Sequence, residues 1–80
     1  MADILERISV RPAVAFGKPC IAGTRIPVTA ILEIIEDGVP MDQIRERYYP
    51  DVTLEDIKAC VEYAIRVIGN EEIHLSAASK

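Results

Sequence analysis

The sequence predicts a mainly α domain, three helices in a helix-turn-helix arrangement behind an N-terminal β-hairpin. Three observations predict it. All five prolines, at positions 12, 19, 27, 40 and 50, fall in the first fifty residues and punctuate it, leaving the rest free for an unbroken helix. The apolar period changes from two to about 3.6 after Pro27. Finally, 80 residues with an apolar half of the composition suffice for one compact core and not for a deep enzyme cleft.

The hairpin comes first. Ile8-Ser9-Val10 alternates in the manner of a strand, and Cys20-Ile21 and Thr24-Arg25-Ile26 flank the pair Ala22-Gly23, which reads as a tight turn. Gly23 supplies the positive φ that such a turn requires. The first helix follows Pro27, with Val28, Ile31, Leu32 and Ile35 on one face, Thr29 as its N-cap and Gly38 as its C-terminal cap. A second, short helix runs from about Met41 to Tyr48 around Ile44, without a good capping side chain at its start, and stops before Pro50.

The third helix is the clearest. Thr53 caps it, Asp56 completes a capping-box-like pair, and Glu55 and Asp56 suit the positive end of its dipole. It ends near Gly69. Leu54, Ile57, Cys60, Val61, Ala64, Ile65 and Ile68 form its core stripe, while Glu55, Lys58, Glu62 and Arg66 alternate in sign on the opposite face. Ala59, Tyr63 and Val67 make a third, apolar sector off the main stripe, the expected surface for a homodimer. Tyr48, Tyr49 and Tyr63 read as residues that close a small core. The chain thus divides into one domain, 1-69, and a short tail, 70-80, that lacks the pattern of a core element.

Composition narrows the function. No apolar run approaches the about 18 residues of a bilayer span, and Asp3 and Glu6 stand where a secretory signal carries lysines, so a cytoplasmic protein is expected. A single core of this size supplies only about 3–5 kcal/mol, which small proteins supplement with disulfides, metals or subunits. Cys20 and Cys60 read as reduced core residues, and His74 is the only histidine, so no metal and no cofactor is expected and pairing of subunits is the remaining supplement.

The net charge of −4 conceals an asymmetry. From Arg7 to Arg25 there are four basic residues and no acid, whereas from Ile26 onward five basic residues face eleven acidic ones. Phosphate contact would therefore use Arg7, Arg11, Lys18 and Arg25, helped by Arg45 and Arg47 of the second helix in a dimer on operator DNA. The start of the third helix, where a helix-turn-helix reads bases, carries Glu55 and Asp56 and would repel a duplex. Gly17-Lys18 and Gly23-Thr24 resemble pieces of a phosphate loop but in the wrong order and between prolines. Gly17, Pro19, Gly23, Thr24 and Arg25 read instead as a structural motif, with Arg25 bonding to nearby carbonyls or reaching a partner. No nucleophile stands beside a base, and the acids are spread over helix faces, so no enzyme is expected and no small-molecule substrate.

The string Gly17-Lys18-Pro19-Cys20-Ile21-Ala22-Gly23-Thr24-Arg25-Ile26-Pro27-Val28 closely resembles the opening signature of the bacterial and archaeal family called domain of unknown function 433. Asp37-Gly38, Ile44, Tyr49-Pro50, Leu54, Asp56-Ile57, Ala59 and Tyr63-Ala64 agree with it in order and spacing, so the resemblance covers about residues 8 to 68. Pro40 departs from it, since relatives often carry a capping Ser, Thr or Asp there. The resemblance implies a homeodomain-like or winged-helix-like trihelical fold and an antitoxin role beside a PIN-like ribonuclease toxin. The expectation is thus a dimeric antitoxin-like binding module that masks the toxin and binds its own operator. Its rivals are a stand-alone DNA-binding regulator and a purely structural dimer.

Overall fold

The computed structural model describes residues 4–70 and has the expected class, a helical domain behind a two-stranded antiparallel hairpin. In chain order it comprises α1 (Ile4–Arg7), β1 (Ile8–Ser9), β2 (Cys20–Ile21), α2 (Val28–Glu36), α3 (Met41–Arg47) and α4 (Leu54–Asn70). The tail from residue 71, including His74, lies outside the described residues.

Three isoleucines form the centre. Ile31 of α2, Ile44 of α3 and Ile57 of α4 are each 0% exposed, and Val28, Val52, Ala59 and Cys60 complete the interior with Ile8 and Ile21 of the hairpin. Ile8 and Ile21 are direct cross-strand partners, so the pairing register alone places both side chains on the face that meets the helices. Cys20 and Cys60 are buried and free, as the sequence implies. Burial, with Asp56 nearby, pushes the Cys60 thiol up to about 12, which keeps it protonated and unreactive.

The hairpin differs from expectation in its pairing. Cys20–Ile21 pairs with Ile8–Ser9 across a ten-residue loop, and Val10, 56% exposed, has already left the ladder. The Ala22-Gly23 turn exists, closed by the Thr24 amide on the Ile21 carbonyl at 3.0 Å, but Thr24-Arg25-Ile26 is not a strand. The reason is local: the Thr24 hydroxyl donates to the Ile21 carbonyl at 2.7 Å and accepts the Ile26 amide at 3.0 Å, which removes that donor from any ladder. The return leg is reduced to the Ile21 amide on the Ile26 carbonyl and a single bridge between Cys20 and Pro27.

Thr29 does not cap α2. Pro27 occupies the N-cap position without a side-chain bond, and the Val28 amide donates to the Pro19 carbonyl at 2.9 Å. The hairpin backbone thereby supplies an acceptor for a helix-end amide and fixes α2 against β2. The other end follows the sequence. Gly38 takes φ +89°, its amide reaches the Ile35 carbonyl at 2.9 Å, and the Val39 amide reaches Ile34 at 3.4 Å, the paired bonds of a Schellman motif. Helix α3 starts at Pro40 with no side-chain cap and ends at Arg47, one residue short of the expected Tyr48.

Helix α4 is capped as expected. The Thr53 hydroxyl accepts the Asp56 amide and the Asp56 carboxylate accepts the Thr53 amide, both at 3.1 Å. Asp56 also binds the Arg7 guanidinium at 2.9 Å across 49 residues of sequence, so one carboxylate closes the helix end and ties the start of the hairpin to it. The stripe, however, is shorter than the periodicity implies. Ile57 and Cys60 are buried, but Ile65 and Ile68 are 63% and 57% exposed, and Leu54 is also exposed. Length explains this: α4 has 17 residues, about 25 Å at the helical rise, against 9 residues in α2 and 7 in α3. The last turns of α4 extend past the core.

Partial burial raises the Asp56 pKa, but the Thr53 amide, Arg7 and the Thr53 side chain together outweigh it and hold the group below its usual 3.8. The folded state therefore favours the charged form, and this contribution is complete above pH 3.8 and fades as acid protonates the folded carboxylate. Asp56→Ala is expected to lower stability at neutral pH by about 1–2 kcal/mol. Urea unfolding should show that difference shrinking below pH 3.8.

Candidate binding surfaces

The six basic residues expected to meet phosphate divide into two groups. Arg7 is half-buried in its ion pair with Asp56. Arg45 donates from Nε to the Val52 carbonyl at 2.7 Å, pinning the turn between α3 and α4, and Arg47 lies 5.8 Å from the centre of the Tyr48 ring. Those two side chains and Arg7 are engaged within the fold. Arg11 and Arg25 instead line one cleft of about 330 Å³ with Ser9, Val14, Gly23 and Thr24, and Lys18 is exposed beside it in sequence. Among the described residues Arg25 makes no hydrogen bond to the carbonyls expected for it, so of its two readings the outward one fits its position.

The other motif residues shape the loop and the turn. Pro19 supplies the carbonyl for α2, Thr24 organises the turn, and Gly23 holds φ +79° with open space around it. Gly17 takes φ +81° and follows two other left-handed residues, Ala15 at φ +50° and Phe16 at φ +59°. The left-handed region costs an L residue roughly 1–2 kcal/mol, and the product of these three positions is a tight turn that leaves the Phe16 ring 98% exposed. Sequence reasoning missed Phe16. Its signal was the one phenylalanine placed between Ala15 and Gly17, in a Pro- and Gly-bounded loop where neither helical nor strand periodicity offers it a buried partner.

A second surface is apolar. The overhanging end of α4 and the adjacent face of α2 enclose a groove of about 200 Å³, lined by Val28, Leu32, Tyr63, Ala64, Val67 and Ile68 among others. Of the three residues expected at a dimer contact, Ala59 is buried in the chain's own core and Tyr63 packs against that core, which leaves Val67, 38% exposed, fully in the surface. The apolar patch has moved toward the C-terminus of α4, where Ile68 joins it. Tyr49 also packs on the core, while Tyr48 is exposed beneath Arg47.

Chemistry of other kinds has little to start from here. Among the described residues no group of three histidine, cysteine or acidic side chains is placed to hold a metal ion, and the shifted titrations of Asp56 and Cys60 both arise from the packing of α4. No described helix is long and apolar enough to cross a membrane. Glu62 and Arg66 form an exposed pair at 2.6 Å, part of the expected charge alternation on the outer face of α4.

A sequence profile described as "Protein of unknown function (DUF433)" matches residues 8–64, well over half of the chain. The crystal structure of a DUF433 member protein from Anabaena variabilis ATCC 29413, at 2.00 Å resolution, is similar with a TM-score of 0.72 and 29% sequence identity, over 94% of this chain and 71% of that one. No curated protein matches.

Because no atom lies near the position that a Gly23 side chain would take, Gly23→Ala is expected to cost only the left-handed backbone term, about 1 kcal/mol. Thermal unfolding measures it; a neutral substitution would mean that the turn relaxes to another geometry.

Proposed function

The chain belongs to the DUF433 family of proteins of unknown function, and from that premise we propose that it is a non-catalytic binding module, the antitoxin-like partner of a PIN-like ribonuclease. The family resemblance supplies the antitoxin role. The observation that carries the binding reading is the overhang of α4, where Val67 and Ile68, 38% and 57% exposed, line an apolar groove and Ile65 is 63% exposed on the same turns. Large apolar side chains grouped at a helix end and kept out of the core are the ordinary mark of a protein contact. In the isolated chain the same patch, with Tyr63 and Val67 in it, serves pairing with a second copy.

Operator binding is the weaker half of the expectation. Arg7, Arg45 and Arg47 make internal contacts, which leaves Arg11, Lys18 and Arg25 for phosphate, and Asp56 stands with Glu55 at the start of α4. A stand-alone duplex-binding regulator would need more free cations than this.

Capture of the tagged chain from its native cells is expected to bring down a small PIN-like ribonuclease in fixed proportion, its activity returning once the two are separated. Replacing Val67 and Ile68 together by Asp should leave the fold intact and weaken that complex at least about thirtyfold, the loss of one interface hot spot. Calorimetry decides: an unchanged affinity removes the overhang from the contact, and a captured chain with no ribonuclease removes the antitoxin role.

A further inference from the structure

The loop between β1 and β2 holds Ala15 and Phe16 at φ +50° and +59°, and the result is a phenyl ring 98% exposed. A loop that had only to turn would place glycine at such positions. Strain of this kind persists where the surroundings enforce it and clusters at ligand clamps. The ring contributes nothing to the core, so the conformation serves what lies outside.

Charge around the ring indicates the ligand. Val14, in the same turn, lines the cleft that Arg11 and Arg25 also line, and no carboxylate is among the lining residues. Two guanidinium groups on one cleft repel each other until an anion enters, and each matches a phosphate with paired hydrogen bonds. Lys18, exposed, follows the turn in sequence. An exposed aromatic ring on a loop that also carries exposed cations is the combination that holds unpaired nucleotides, the ring stacking on a base and the cations tracking the backbone. A duplex fits less well, since it would have to unstack a base step to admit the ring, with three cations to offset that.

We propose that the loop Val10–Lys18, together with Arg25, is a site for single-stranded nucleic acid, in which Phe16 stacks on an unpaired base while Arg11, Lys18 and Arg25 hold the neighbouring phosphates. The site lies on the hairpin and is independent of the toxin contact on α4, so either reading stands if the other fails.

The test is fluorescence anisotropy of the full chain with a labelled oligouridylate of about ten nucleotides and with a duplex of the same length, over a range of salt. The single strand is expected to bind more tightly than the duplex. Phe16→Gly, which relieves the left-handed strain, should raise the melting temperature and yet weaken single-strand binding about tenfold. Arg11→Ala and Arg25→Ala should each reduce the slope of log affinity against log salt by about 0.7, with circular dichroism unchanged. Equal or tighter duplex binding, wild-type affinity in folded Phe16→Gly, or an oligonucleotide left unbound by the wild-type chain would overturn the proposal.

Discussion

The meeting of Ile31, Ile44 and Ile57 is the contact on which the structure depends. One residue comes from each of α2, α3 and α4, and all three are shut off from water. Burial of such a side chain stabilises by about 1.5–3 kcal/mol, in a class of domain whose whole core supplies about 3–5 kcal/mol net. The spacing of these residues sets which part of each helix is interior, and so which part of α4 is left over.

The hairpin is subordinate to that core and is fastened to it twice. Arg7 reaches Asp56 at the start of α4, and the Pro19 carbonyl takes the first amide of α2. Between these two fastenings runs the long loop that displays Phe16 and Arg11. An unattached two-stranded ribbon is marginal in water, so the attachment is what gives the loop a defined shape. The same ion pair explains why Arg7, counted by sequence among the phosphate contacts, has a structural occupation instead.

Much of this was legible in the sequence, for reasons that are local. Thr53 and Asp56 lie three residues apart and must cap the same helix end; Gly38 follows an apolar face and terminates it; Gly23 marks its turn. What was not legible depended on long-range geometry. Thr29 does not take the capping role because the Pro19 carbonyl, nine residues before Val28, accepts the first amide of α2. Periodicity put Ile65 and Ile68 on the core side correctly as to angle, but it carries no information about where the neighbouring helices end. Ala59 lies off the main stripe and so reads as surface, whereas α4 packs against α1, β1, α2 and α3 and buries a wider arc than one stripe. Phe16 followed no period at all, and its exposure is a property of the left-handed turn around it.

Interior and exterior are therefore separate in this molecule: isoleucines, caps and one ion pair hold the shape, and the apolar end of α4 and the cationic loop are the surfaces it presents. The amide spectrum of the ¹⁵N-labelled chain, recorded as the proposed ribonuclease partner is added, tests that division most directly. Shifts concentrated from Tyr63 to Gly69 and at Thr29 and Leu32, with Ile31, Ile44 and Ile57 unmoved, are the predicted result. Shifts concentrated on α3 and on Leu54 to Ile57, with the end of α4 silent, would contradict it.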